Sequence, residues 1–192
     1  MKRHQELLTD AIARDGDAGR ALLAGRTEEA RAALLEAAEL YRSSWEEAPP
    51  ASYGRLVGML KAAVLAGGGA AQAEYVRSQL GDGGAESPTA AYAQALAALI
   101  EGEDAAAREW SSHMRPGAEA FARTADAIDA LASRDGARCQ TALSEIVRDF
   151  EQRADHLTGV AIADTALMLQ ELAARRGMEA ELHSDLLPAS RR

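Results

Sequence analysis

The chain has 192 residues, enough for one good-sized domain but not for two, and its 21 basic and 30 acidic side chains leave a formal net charge of −9. This acidic balance disfavours general binding to nucleic acid or to anionic membranes, because both require clustered lysine and arginine. The single cysteine, Cys139, excludes an intramolecular disulfide and a cysteine-based zinc cluster and fits a reducing, cytoplasmic setting.

The N-terminal residues MKRHQELLTDAIARDGD carry charge where a signal peptide needs its apolar region. Nowhere do about 18 apolar residues follow one another without interruption, as a membrane-spanning helix requires. We therefore expect a protein that is neither secreted nor membrane-spanning. We treat residues 1–192 as a single all-helical domain that ends in a short C-terminal tail at 178–192.

Composition and the spacing of breaks predict an all-α fold. Alanine, the strongest helix former, makes up roughly a quarter of the chain, and no stretch alternates apolar and polar residues convincingly. We expect about eight or nine helices, with strand at most near Glu179 to His183. The breaks fall at Gly25, Ala48 to Pro50, Gly67 to Gly69, Gly81 to Pro88, Gly102, Arg115 to Gly117, Gly136, Thr158 and Gly177.

Two helix starts carry clear signals. Thr27 can cap the helix EEARAALLEAAELYRSSW, and Ser87 followed by Pro88 predicts a cap with proline at the first helical position. Apolar residues then recur every three or four positions along three helices, so each has one buried side, and the short breaks predict antiparallel hairpins. These stripes are Ala30, Leu34, Ala37, Tyr41 and Trp45; Phe121, Ala125, Ile128 and Ala132; and Cys139, Leu143, Ile146 and Phe150.

A weak internal repeat appears when LAGRTEEARAALLEAA (23–38) is aligned with IEGEDAAAREWSSHM (100–114), because Gly25 matches Gly102 and Ala30-Arg31 matches Ala107-Arg108. In a third possible copy, ASRDGARCQTALSEI, Ala137-Arg138 is kept but the glycine moves. The small-residue spacing resembles that of tetratricopeptide repeats, in which glycine permits the turn and alanine permits close helix approach. The resemblance implies a right-handed, repeat-like array of helical hairpins.

The most patterned stretch is DHLTGVAIADTALMLQELAARRGME (155–179). Thr158 is predicted to cap its helix, Glu171 and Arg175 to pair at i,i+4, and Gly177 to end the helix in a left-handed conformation. On a helical wheel most of the surface is apolar, so we expect a nearly buried helix. Its apolar positions are Ile162, Ala163, Ala166, Met168, Leu169, Leu172 and Ala173.

Few residues suggest chemistry. Asp155 and His156 could act as an orienting carboxylate and a general base, but adjacent side chains rarely point at each other productively, so a structural role for His156 is favoured. No catalytic, metal-binding or cofactor-binding residue is predicted: Cys139 occupies an apolar stripe, the histidines lack metal-ligand spacing, and the glycine clusters lack a phosphate-loop motif. Asp155, His156 and Arg175 are the candidate contacts for a partner or ligand.

The C-terminal run from Glu145 to Arg192 resembles the predicted all-α immunity proteins of bacterial polymorphic toxin systems. The shared features are a late helix that ends in Ala174-Arg175-Arg176-Gly177 and an extended segment, MEAELHSDLLP, that ends at a proline. The resemblance covers about the last 50 residues and implies a non-enzymatic protein that binds and neutralises a toxin.

The sequence thus predicts a protein-protein interaction module that is not an enzyme, uses no cofactor, and has an acidic surface suited to a basic protein partner. One alternative is an enzyme or small-ligand binder whose site is assembled from dispersed residues such as His113, Asp155, His156 and Arg175. A deep pocket would favour that alternative, whereas an open groove or flat face would favour protein binding. A homo-oligomeric structural protein is the third hypothesis.

Overall fold

The computed structural model describes residues 2–189, and this part of the chain contains nine α-helices and no strand. Gly136 is the first residue of α8, and every other predicted break separates two helices or follows the last one, so the expected all-α fold with antiparallel neighbours is confirmed. The helices are α1 (Arg3–Leu23), α2 (Thr27–Glu46), α3 (Gly54–Leu65), α4 (Ala70–Leu80), α5 (Pro88–Glu101), α6 (Asp104–Met114), α7 (Glu119–Ala132), α8 (Gly136–Glu151) and α9 (Asp164–Ala174).

The predicted start of α5 is confirmed, whereas that of α2 is displaced by one residue. The hydroxyl of Ser87 accepts a hydrogen bond from the amide of Ala90, and Pro88 is the first helical residue. In α2 the capping position belongs to Arg26, whose carbonyl accepts the first helical hydrogen bond, from the amide of Ala30. The prediction of Thr27 as the cap is therefore wrong, and Thr27 lies in the first turn instead.

The same turn joins the two helices of four hairpins, α1/α2, α3/α4, α5/α6 and α7/α8. A residue with positive φ follows the first helix of each, and the amide after it donates to a carbonyl five residues earlier at 2.8–3.0 Å. The fourth residue of each second helix is small and buried, which allows close helix contact. The positive-φ residues are Gly25, Gly67, Gly102 and Arg134, and the small residues are Ala30, Ala73, Ala107 and Cys139.

This recurrence corrects the predicted alignment of the third copy. Arg134, with φ of 54°, takes the place of Gly25, and Cys139 takes the place of Ala30. The match on Ala137-Arg138 was therefore two residues out of register. The sequence pattern misled because a left-handed arginine replaces the expected glycine, while the nearby Gly136 is an ordinary first helical residue.

Helices α3, α5 and α7 pack side by side, and we call the layer they form the inner face. After α8, residues 152–163, here called the crossing segment, return to α1. There a Cβ on Gly16 would lie 3.0 Å from the carbonyl oxygen of Thr158, and one on Gly19 would lie 3.3 Å from Ile162. The two glycines of α1 thus allow the crossing segment to approach its backbone closely.

The return of the chain to α1 explains why α9 begins later than predicted. Thr158 does not cap the helix: its hydroxyl accepts a hydrogen bond from the amide of Val160, and α9 starts only at Asp164. Because Val160 and Ile162 pack on Gly19, this stretch stays outside the helix. The predicted burial is nevertheless confirmed, since Ile162, Leu169 and the other apolar positions of the stretch are all buried.

Helix α9 lies against α3, α7 and α8 and so covers part of the inner face. The helix ends at Ala174, and the turn after it contains the predicted left-handed residue, Gly177, with φ of 68°, while the amide of Met178 donates to the carbonyl of Ala173. The pair of Glu171 and Arg175 is also present, at 3.1 Å. None of the helices of residues 2–189 is long and apolar enough to cross a membrane.

The chain beyond α9 packs against the helices instead of continuing the array. In residues 178–189 the side chains of Leu182 and Leu187 are buried, and the strand that the sequence allowed near Glu179 to His183 does not form. The side-chain amide of Gln140 instead bonds both the amide and the carbonyl of Glu181, each at 2.8 Å. The last part of the predicted tail, residues 190–192, lies outside the described residues.

Candidate functional site

The three residues predicted to contact a partner or ligand lie in two places. Asp155 and His156 belong to the crossing segment, where the ring of His156 stacks on that of Phe150 with centroids 6.2 Å apart. The guanidinium of Arg175 donates to the carbonyls of Val64 and Gly68 at 3.0 and 2.8 Å, at the C-terminal end of α3. Among the described residues no hydrogen bond or ion pair joins Arg175 to either of the other two.

His113, the fourth residue of the dispersed-site hypothesis, lies elsewhere. Its ring contacts Trp110 on α6, in a cleft that also contains Arg77 and Asp82. The four residues of that hypothesis therefore do not form one cluster.

A pocket next to His156 combines aromatic walls with charged side chains. Its cavity has a volume of about 220 Å³ and opens between α3, α5, α7, α8 and the first turn of α9. Phe121 and Phe150 line it together with Tyr92, whose ring meets Phe121 edge to face at 6.1 Å. We call this cavity the aromatic pocket.

Two arginines share one aspartate beside these aromatic rings. Arg123 on α7 contacts Asp149 at 2.5 Å, and Arg153, just after α8, contacts the other oxygen of the same carboxylate at 2.6 Å. The guanidinium of Arg153 also lies 3.8 Å from the ring centroid of Phe150. All three charged residues line the aromatic pocket, so its walls offer apolar contact and hydrogen-bond donors side by side.

A cluster of buried polar groups lies behind the pocket, and we call it the buried polar cluster. The ammonium of Lys61 donates to Asp164 at 2.5 Å, which joins α3 to α9, and the hydroxyl of Tyr41 donates to Asp15 at 2.7 Å, which joins α2 to α1. Only 16% of the Lys61 side chain and 19% of the Asp164 side chain are exposed. Tyr92 belongs to both sites, because its ring lines the pocket while its hydroxyl contacts Thr165 and interacts with Lys61.

The pKa shifts of this cluster follow from burial and from its neighbouring charges. Burial alone would lower the pKa of Lys61, but the charges of Asp164 and Asp15 outweigh it and hold the pKa above its ordinary value. Burial also raises the pKa values of Tyr41 and Tyr92. It raises the pKa of Asp15 as well, although the positive charge of Lys61 acts in the opposite direction. A lysine held in its charged form is a poor nucleophile, so Lys61 is suited to joining helices.

Cys139 is buried on α8, as predicted. Burial, followed by the charge of Asp135, raises the pKa of its thiol, so the thiolate needed for nucleophilic chemistry is disfavoured. Within residues 2–189 no group of three or more His, Cys, Asp or Glu side chains is arranged to hold a metal ion.

Comparison with protein-family models, with curated proteins and with solved structures finds no match to this chain. The aromatic pocket therefore has to be interpreted from its own geometry. A larger cleft of about 640 Å³ lies beside α9, between Leu22, Leu65 and Met178, but among the described residues that line it none is aromatic or basic. The aromatic pocket is the better candidate site, because it combines aromatic, charged and hydrogen-bonding groups.

Sequence reasoning missed this pocket, although two signals were available. Phe121 and Phe150 are the only phenylalanines of the chain, and both line the pocket. Lys61, one of only two lysines, interrupts the otherwise apolar run GMLKAAVL. Phe121 and Phe150 were assigned to core stripes of separate helices, and nothing in their spacing shows that α7 and α8 bring them to one cavity.

Proposed function

We propose that this protein is a non-enzymatic protein-protein interaction module and that the aromatic pocket receives a side chain of its partner. The observation that carries the proposal is the pocket itself, with three aromatic rings and two arginines gathered from α5, α7 and the end of α8. Aromatic and arginine side chains contribute most of the binding energy at many protein interfaces.

The size of the pocket favours a protein partner over a free metabolite. Small-molecule sites usually have volumes of roughly 300–1,000 Å³, whereas this cavity has about 220 Å³. A cavity of this size suits one large apolar side chain that enters from a partner.

The surroundings of the pocket support the same proposal. His156, which stacks on a pocket residue, is followed by Leu157, whose exposed fraction is 78%. Leu157 and Leu35 are the large apolar side chains that residues 2–189 leave exposed, and Leu35 lies on α2. An exposed leucine beside an aromatic pocket offers a second apolar contact to a partner, and Asp155 and His156 complete the surface.

The partner we expect is a basic protein, because the net charge of −9 speeds association with a positively charged surface. An immunity-type role, in which the protein binds and neutralises a toxin, follows from the resemblance of the C-terminal run.

The test is capture of the partner from the protein's own host, followed by calorimetric titration of the purified pair over a range of salt. Replacing Phe121 with alanine should weaken binding by about 2 kcal/mol or more, roughly thirty-fold in Kd, as for a central interface anchor. Leu157→Ala should also weaken binding. The matched control is Leu35→Ala, which removes an exposed leucine on α2 and should leave Kd unchanged.

Equal affinities for the Phe121 and Leu35 variants would refute the proposed surface. Recovery of no protein partner, together with micromolar binding of a small molecule, would favour the alternative of a ligand-binding protein or enzyme.

A further inference from the structure

The charged groups of the aromatic pocket point to a particular class of ligand. Asp149 receives Arg123 on one oxygen and Arg153 on the other, so two guanidinium groups share one fixed carboxylate. The second partner of Arg123 is Glu119, whose side chain is 86% exposed and is thus held weakly. Among the residues that line the pocket, two arginines face one aspartate, so the lining carries one more positive than negative charge in a protein that is acidic overall.

Three helices present their first turns to the pocket, although α8 presents its last turn through Asp149 and Phe150. Gly54, Thr89 and Ala120 line the cavity and belong to the first turns of α3, α5 and α7. Helix N-termini carry a partial positive charge, so three helices add to the potential of the two arginines. The arginines and the helix N-termini both favour the binding of a negatively charged group at the pocket.

The position of Arg153 determines the distance between the negatively charged group of a ligand and its apolar part. Its guanidinium lies 3.8 Å from the ring centroid of Phe150, so the cationic group directly adjoins the aromatic wall. A ligand that fills the cavity and reaches this group needs its carboxylate close to the apolar side chain. The C-terminal residue of a polypeptide has both groups on one Cα, whereas the carboxylate of a neighbouring Asp or Glu extends away from the anchor.

We propose that the aromatic pocket recognises the C-terminal residue of a polypeptide partner, with a large apolar side chain in the cavity and the terminal carboxylate bound by Arg123 and Arg153. This inference rests on the proposed function, because it names the part of the partner that enters the pocket. Arginine suits the role, since a guanidinium has five N–H donors, and the contacts with Asp149 and Glu119 leave some of them on each arginine for a second carboxylate.

Two probes that differ only in their terminal group test the inference. N-acetyl-phenylalanine has the free carboxylate, and N-acetyl-phenylalanine amide replaces it with a neutral carboxamide. In an NMR titration of the full chain, the acid should shift the aromatic resonances of Tyr92 and Phe121 with a Kd in the roughly millimolar range expected for so few atoms. The amide should bind about ten-fold more weakly, since a hydrogen bond to a charged group is lost.

Substitutions of single arginines show which positive charge makes the protein prefer the acid to the amide. Arg153→Gln and Arg123→Gln should each reduce the preference for the acid, and Arg148→Gln should keep it. Arg148 is the matched control because it is an exposed arginine on α8 that does not line the pocket. Circular dichroism of each variant shows whether it folds, and having two pocket variants keeps the test valid if one does not.

Three results would overturn the inference: equal binding of acid and amide, no binding of either probe at 10-fold above the expected Kd, or equal loss of preference in the Arg148 and Arg153 variants. None of them would refute protein binding at this surface, which the partner titration with the Phe121 and Leu157 variants tests separately.

Discussion

Gly58, in the middle of α3, should tolerate no side chain. A Cβ at this position would lie 2.7 Å from Cζ, 2.8 Å from Cε1 and 2.9 Å from Cε2 of the Tyr41 ring, which packs directly over the glycine. The ring has little freedom to move away, because its hydroxyl donates to the buried carboxylate of Asp15 at 2.7 Å. Replacing Gly58 with alanine must therefore displace Tyr41 and disturb this hydrogen bond.

Three contributions determine the size of the effect. Overpacking of a core costs about 1–3 kcal/mol, and loss of a hydrogen bond to a charged group costs about 1.5–3 kcal/mol. Alanine is a better helix former than glycine by about 1 kcal/mol, which offsets part of the cost. We expect Gly58→Ala to lower the free energy of unfolding by about 3 kcal/mol in urea denaturation followed by circular dichroism.

Gly54 provides the matched control in the same helix. A Cβ at Gly54 meets no atom within 4 Å, so Gly54→Ala should be neutral or slightly stabilising. A double-mutant cycle isolates the cause, because Gly58→Ala should cost nothing once Tyr41 has been replaced by alanine. If Gly58→Ala is as stable as Gly54→Ala, or if its cost persists without the tyrosine ring, the packing argument is wrong.

Three further predictions concern stability. Leu169→Ala should cost about 2–5 kcal/mol through lost burial and a cavity, because Leu169 is fully buried in α9; a loss below about 1 kcal/mol in urea denaturation would show that α9 is peripheral. His156→Ala should leave the fold intact in circular dichroism and cost roughly 1 kcal/mol, the value of its stacking on Phe150; a variant that folds normally but loses a measured catalytic activity would contradict the structural role. Above about pH 10 the free energy of unfolding should fall, by about 1.4 kcal/mol per pH unit for each group concerned. The unfolded chain loses protons from tyrosine and lysine at their ordinary pKa values of 10.0 and 10.5, whereas the raised pKa values in the folded state keep Tyr41, Tyr92 and Lys61 protonated. Unchanged stability between pH 9 and pH 11.5 would contradict this assignment, and Tyr92→Phe should make the slope shallower.

The local structure of most of the chain could be predicted from sequence, because it depends on neighbouring residues. Glycine and proline mark the breaks between the helices, Ser87 and Pro88 start α5, and Gly177 ends the stretch that contains α9. The apolar spacing of that stretch also predicted its burial correctly. These features follow from backbone conformation and from the helical repeat, both of which act over a few residues.

Other features depend on residues far apart in the chain, so only the tertiary structure decides them. Arg176 lies at the end of its own helix, as predicted, but its guanidinium also donates to the carbonyl of Leu99 at the end of α5. Arg175 does the same for α3, where it donates to the carbonyls of Val64 and Gly68.

The candidate site also combines features that the sequence predicts with features that depend on the tertiary structure. The sequence identified Phe121 and Phe150 as members of apolar stripes, and a stripe specifies which side of a helix is buried but not what it is buried against. The return of the crossing segment to α1 places α9 on the inner face, and that placement brings Thr165 to the rings of the aromatic pocket and Asp164 to Lys61. The sequence alone therefore determined the helices and their buried sides, through interactions between near neighbours, whereas the pocket and the buried polar cluster exist only because long-range packing joins helices that are distant in the chain.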